Sequence, residues 1–108
     1  MAYCKRNVHK IDFRQAKALL DENSDAVIVD VREEEEYITG HAVNAVLLPL
    51  DELTAERAAE ALPDRSAPVL VYCRTGARSE EAACRLCAMG YTDVYDLGGL
   101  VGWPYGLE

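Results

Sequence analysis

An α/β domain with a mainly parallel central sheet flanked by helices is predicted by three features of the sequence. Two runs of strand length, Ala26-Val27-Ile28-Val29-Asp30-Val31 and Val69-Leu70-Val71-Tyr72, are almost continuously apolar. That composition suits strands buried on both faces, as parallel strands are. Segments with helical spacing of apolar residues fall between and beside them. Finally, strand and helix alternate over the whole length with no linker, repeat or low-complexity tract, the order that produces a sheet covered by helices. A chain of 108 residues is one domain, 1–108, long enough to bury a core without disulfide or metal staples.

Val8 to Ile11 is a short first strand, and Asp12 caps a helix from Phe13 to about Glu22 with Phe13, Ala16, Leu19 and Leu20 on its apolar face. Asn23-Ser24-Asp25 is a turn before the second strand, Ala26 to Val31. Arg32 to Thr39 is a short helix, with Tyr37 and Ile38 turned inward and Gly40 ending it. Ala45 to Leu48 is a third strand stopped by Pro49. Asp51 or Thr54 then caps a helix that runs to about Leu62 before Pro63. Val69 to Tyr72 is the fourth strand, followed beyond Ser79 by a helix that Gly90 stops. Thr92 to Leu97 is the last strand. The glycine-rich run Gly98 to Trp103 leads into one helical turn, with Trp103 anchoring the chain end against the core.

A net charge of −8 argues against nucleic acid and anionic membranes as partners, since both reward basic surfaces. No run approaches the roughly 20 apolar residues of a membrane span. The start, Met1 to Arg6, lacks the apolar core of a signal peptide, which predicts a cytoplasmic protein. The four cysteines do not have the look of a disulfide scaffold, and reduced thiols suit that compartment. Leu107-Glu108 resembles the residues that expression vectors append and is assigned no role.

Chemistry points to one stretch, Cys73-Arg74-Thr75-Gly76-Ala77-Arg78-Ser79. A cysteine at the mouth of a buried strand is followed by a tight loop and then a helix. Backbone N–H groups converge in such a loop, and the helix start adds its own unsatisfied donors. Gly76 allows the positive φ the turn needs. An anion at the sulfur is favoured there, and a thiolate is an anion. Arg74 and Arg78 add two permanent positive charges, although only 11 residues of the chain are basic.

Three blocks together resemble rhodanese-homology domains. They are Val27-Ile28-Val29-Asp30-Val31-Arg32-Glu33-Glu34-Glu35-Glu36-Tyr37 with Gly40-His41, the Cys73–Ser79 loop, and Asp96-Leu97-Gly98-Gly99-Leu100-Val101-Gly102-Trp103. Their order over residues from about 8 to 105 makes the match specific. The resemblance implies a three-layer rhodanese-like fold and a single-domain sulfurtransferase of the thiosulfate sulfurtransferase type. Cys73 would cycle between thiolate and persulfide, taking sulfur from a small anionic donor such as thiosulfate. A thiol, a protein thiol among them, or cyanide would accept it. The N–H groups of residues 74 to 78 would hold the outer sulfur, with Arg74, Thr75, Gly76, Ala77 and Arg78 forming the substrate site. Arg78 is expected to matter more than Arg74 for an anionic donor. No cofactor and no metal are implied.

Two other readings are weighed against it. One is a sulfur-relay or regulatory binding module with little turnover of its own. The other is a phosphatase-like or arsenate-reducing enzyme. Related enzymes of that kind use a loop one residue longer, wide enough for a tetrahedral oxyanion, whereas four residues separate Cys73 from Arg78 here.

The remaining candidates read as structural. His9 and His41 are not needed if the thiolate is already formed; His41 is expected to bond a turn, and Asp30 and Arg32 to brace the scaffold. Glu33 to Glu36 point in different directions on a helix and so cannot form one metal cage; they read as a solvated, acid-rich helix start. Cys84 and Cys87 fall inside a helix whose apolar face is Ala82, Ala83, Leu86 and Met89, and read as small filler rather than a redox pair. With Cys4 they show no zinc spacing. After His41 the family's Ile-Pro-Gly-Ala is replaced by Ala42-Val43-Asn44-Ala45. Asn44 stands where a positive φ is expected.

Overall fold

The computed structural model describes residues 8–108, so Cys4 and the Met1–Arg6 segment lie outside the described residues. In chain order the elements are β1 (Val8–Lys10), α1 (Phe13–Glu22), β2 (Val27–Asp30), α2 (Glu34–Ile38), β3 (Val46–Leu47), α3 (Ala55–Ala61), β4 (Val69–Cys73), α4 (Ala77–Ala88) and β5 (Val94–Gly99). The strands form one sheet in the order β1-β5-β4-β2-β3, with every neighbouring pair parallel. No helix among the described residues is long and apolar enough to cross a membrane.

β4 is the central strand and is buried at every residue. Its side chains alternate between two cores, as period-two geometry requires. Val69, Val71 and Cys73 pack with Ala58 and Leu62 near α3 and with Ala82, Ala83 and Leu86 of α4. Leu70 and Tyr72 face the other way, with Ile28, Leu97 and Ala16 of α1. Helices therefore cover both faces, giving the predicted three layers. Burying one Val or Leu stabilises by about 1.5–3 kcal/mol, and Val69, Leu70 and Val71 are each at most 1% exposed.

The chain leaves β2 toward β3 at one edge and leaves β4 toward β5 on the other side. The adjacent carboxyl ends of β2 and β4 thus flank the point where the connections diverge. Open α/β sheets leave a crevice at such a point.

Local signals mostly set the boundaries. Asp12 accepts the Gln15 N–H at 2.8 Å while the Gln15 side chain accepts the Asp12 N–H at 2.9 Å, a capping box that starts α1. Thr54, not Asp51, caps α3, accepting the Arg57 N–H at 3.1 Å. Leu50–Glu52 is a separate 3₁₀ turn. Asn44 has φ 68°, the conformation expected of it. The apolar face of α4 is as predicted, with Cys84 and Cys87 half-buried and Cys87 packed against the core.

Four local expectations are corrected. Ile38 is 71% exposed, because so short a helix as α2 turns only Tyr37 inward, its hydroxyl donating to the Ala45 carbonyl at 2.8 Å. α4 begins at Ala77 rather than beyond Ser79, since Gly76 at φ 110° turns the chain early. β5 runs through Gly99 and gives way to a turn closed by Trp103 N–H to Leu100 O at 2.9 Å, not to a helical turn. Trp103 itself does anchor the end, edge-on to Phe13 at 5.3 Å. Leu107 bridges Ala42, and Glu108 exchanges backbone bonds of 2.8 and 3.1 Å with His41, so this pair has a structural place.

Candidate active site

β4 carries Cys73 to the end of the sheet, where its side chain is fully buried. Its sulfur accepts the Gly76 N–H at 2.9 Å and the Ser79 N–H at 3.4 Å. The first donor is aimed by the positive φ of Gly76, which would strain most side chains. The second belongs to the first turn of α4, where N–H groups lack a partner within the helix. Two N–H dipoles and a helix start therefore converge on one sulfur and favour negative charge on it.

Ser79 and Asp96 complete this arrangement; each lies in one of the three family blocks, but the sequence assigns neither a role. Ser79 Oγ lies 2.7 Å from Asp96 Oδ1 and 2.9 Å from the Gly76 carbonyl. The same Oδ1 accepts the Gly98 N–H at 2.9 Å. A carboxylate only 4% exposed thus ties α4 to the end of β5. The spacing of Asp96 and Gly98 is that of an Asx turn, a signal that reveals the second bond but not the first. At Gly99 a Cβ would stand 2.6 Å from the Arg74 carbonyl oxygen, so glycine is what lets β5 pass against the loop.

The two arginines differ. Arg78 donates to both carboxylate oxygens of Glu36, at 2.7 and 3.0 Å. That fork lowers the Glu36 carboxyl to about 2 and raises the guanidinium further above its ordinary value. The reading of Glu33 to Glu36 as merely solvated is therefore corrected at Glu36, while Glu33, Glu34 and Glu35 are exposed. Arg74 is exposed and lines a depression of about 550 Å³ with Glu35, Glu36, Leu100 and Val101. On the other side of the loop, Thr75, Gly76 and Ala77 line a smaller one of about 370 Å³. All six predicted site residues are thus gathered around one loop, but Arg78 is turned to Glu36.

Beside the site, Asp30 is buried and accepts Arg32 Nε at 3.0 Å, an Arg32 terminal nitrogen at 2.7 Å and the Tyr72 hydroxyl at 2.6 Å. Arg32 also donates to the Gly40 carbonyl at 2.7 Å, and the Ala42 N–H donates to Tyr72 Oη at 3.1 Å. Burial and the Asp30 bond raise the Tyr72 phenol. His41 Nδ1 sits 2.9 Å from the Tyr37 carbonyl and its ring stacks on Tyr37 at 3.7 Å, a turn-bonding position. His9 is exposed on β1 beside Tyr95. Among the described residues no group of three His, Cys, Asp or Glu side chains could hold a metal.

Comparison with known proteins decides the family. The sequence profile described as the rhodanese-like domain matches residues 12–104. The chain belongs to the rhodanese-like family. Among its rhodanese-like relatives, thiosulfate sulfurtransferase PspE of Escherichia coli (strain K12) is 44% identical over 72 residues, covering 67% of this chain and 68% of that protein. A sulfurtransferase of Allochromatium vinosum is 36% identical over 97 residues, covering 89% and 88%. A solved structure described as rhodanese with anions from E. coli superposes with a TM-score of 0.71 at 38% identity, covering 77% of this chain and 96% of that one. This rhodanese-like chain is accordingly an enzyme of the rhodanese, sulfur-transferring type.

Proposed function

We propose that Cys73 carries the sulfur as a persulfide, with thiosulfate as a competent donor and a thiol or cyanide as acceptor. The observation behind this reading is the pair of N–H groups, from Gly76 and Ser79, that point at the Cys73 sulfur. The Cys73 thiolate attacks the outer sulfur of thiosulfate, and a new S–S bond forms. The old S–S bond breaks, and its electron pair leaves with sulfite. The anionic outer sulfur then lies against the loop, where N–H groups of residues 74 to 78 can stabilise it. An acceptor thiolate or cyanide attacks that sulfur, and Cys73 leaves as thiolate. No general base is required in either step.

Burial of Cys73 in the resting loop favours a reagent that presents one narrow terminal atom over a tetrahedral oxyanion. With four residues between Cys73 and Arg78, this supports sulfur transfer over phosphoryl or arsenate chemistry. Thiocyanate production from thiosulfate and cyanide tests the proposal. It should be lost in Cys73→Ser, while hydrolysis of an aryl phosphate stays at background in both proteins. Aryl phosphate turnover that depends on Cys73 would reverse the assignment. A persulfide that forms but turns over poorly with small acceptors would point instead to a sulfur-relay module.

A further inference from the structure

Both N–H groups that point at the Cys73 sulfur depend on Ser79. One is the Ser79 N–H itself, at 3.4 Å, and the other belongs to Gly76, at 2.9 Å. The Ser79 hydroxyl lies 2.9 Å from the Gly76 carbonyl oxygen and 2.7 Å from Asp96 Oδ1. A hydroxyl has one proton, so the loop and the carboxylate share it, and Oγ is fixed from two sides. Asp96 reaches Gly76 by a second route. Its Oδ1 also accepts the Gly98 N–H at 2.9 Å, and Gly98 packs on the loop, its Cα 3.7 Å from where a Gly76 Cβ would stand. Lys10 Nζ is 4.0 Å from Asp96 Oδ2 and donates to Glu80 at 2.7 Å. Ser79 is fully buried and Asp96 is 4% exposed, so bulk water does not compete for the bonds between them.

We propose that Ser79 and Asp96 are positioning residues for sulfur transfer, with Asp96 acting through the Ser79 hydroxyl to hold both N–H groups on the Cys73 sulfur. The pair's role rests on the persulfide reading above. Negative charge on sulfur is stabilised best by donors already in place, because a donor that must first swing inward costs free energy at the moment of reaction. The same sulfur attacks in the loading step and leaves in the unloading step, so the pair acts on both. With Asp96 shortened, the hydroxyl keeps only the Gly76 carbonyl, and that unit is no longer tied to β5. With Ser79 shortened, its N–H remains, but the Gly76 carbonyl is left with the Glu80 N–H, at 3.1 Å.

Single-turnover loading of the full chain with thiosulfate, followed by intact mass, tests this. Ser79→Ala and Asp96→Ala should each lower the maximal loading rate by about twofold to tenfold, the range for one hydrogen bond. The thiosulfate concentration at half the maximal rate should move by less than about twofold, the pattern of a lost transition-state interaction. The double variant should load no slower than the slower single variant, because the two side chains act as one unit. Asp96→Asn keeps an oxygen for Ser79 and Gly98 and should recover most of the rate. Tyr91→Phe is the stability control. It removes a buried hydroxyl that donates to the Ala58 and Leu62 carbonyls at 2.9 and 2.6 Å, and should lower the melting temperature with loading unchanged. Losses that multiply in the double variant, or a Tyr91→Phe loss as large as that of Ser79→Ala, would overturn the assignment. Should Asp96→Ala not fold, Ser79→Ala decides alone, and loading equal to the parent's would overturn it. Absence of added sulfur on Cys73 in the parent chain would instead overturn the persulfide reading beneath it.

Discussion

The carboxyl ends of β2 and β4 lie side by side in the sheet, paired through Asp30 and Tyr72. At the end of β2, Asp30, Arg32 and Tyr72 are all at least nine-tenths buried and bond to one another, and two backbone groups join them. At the end of β4, backbone N–H groups point at a single sulfur, and the loop's side chains at Arg74, Thr75 and Ala77 are exposed. The first network is closed on itself and fixes shape. The second directs donors at an atom that can change its bonding. Polar burial near a site is therefore a poor guide to which residues react.

The closed network should give the largest effect when broken. Asp30→Ala leaves the Arg32 guanidinium buried without its carboxylate and the Tyr72 hydroxyl without its acceptor. Removing one partner of a buried pair costs about 3–5 kcal/mol, a large part of the roughly 5–15 kcal/mol that holds a domain together. Urea unfolding should show that loss. A change below about 1 kcal/mol would mean the network is not what fixes this end of the sheet.

A smaller effect is expected where the open site meets β5. Gly99→Ala would place a methyl 2.6 Å from the Arg74 carbonyl oxygen, so the loop must shift. Overpacking of this kind costs about 1–3 kcal/mol, and sulfur transfer should fall more steeply than stability because the shift falls on the loop itself. Equal stability and activity in this variant would show that the loop tolerates displacement.

The smallest effect is at Glu36. Its carboxyl is lowered from the ordinary value of 4.5 to about 2, chiefly by the Arg78 hydrogen bonds. The stabilisation is therefore complete above the ordinary value and lost as the pH falls from there toward about 2. The melting temperature of Glu36→Gln should lie below that of the parent at neutral pH, and the gap should close across that acid window. A gap independent of pH would mean that the Arg78 fork contributes nothing electrostatic.

The elements were legible because their signals are local: near-continuous apolar runs for β2 and β4, and a capping residue at Asp12. Cys73 and its loop were legible for the same reason, as a contiguous motif. The features that stayed hidden depend on contacts between distant residues. The Glu36–Arg78 fork spans 42 residues and the Ser79–Asp96 bond 17, and neither leaves a local pattern. The exposure of Ile38 arises from the shortness of α2, which an apolar residue beside Tyr37 does not reveal. Leu107 and Glu108 gain their place by pairing with Ala42, His41 and Asn44.

The sulfur at the end of β4 is the one we propose to react. Intact mass spectrometry after incubation with thiosulfate, together with peptide mapping, tests it most directly. One added sulfur atom is expected, located on Cys73, removed by cyanide or dithiothreitol and absent in Cys73→Ser. Added sulfur on Cys84 or Cys87 with Cys73 unmodified would contradict it.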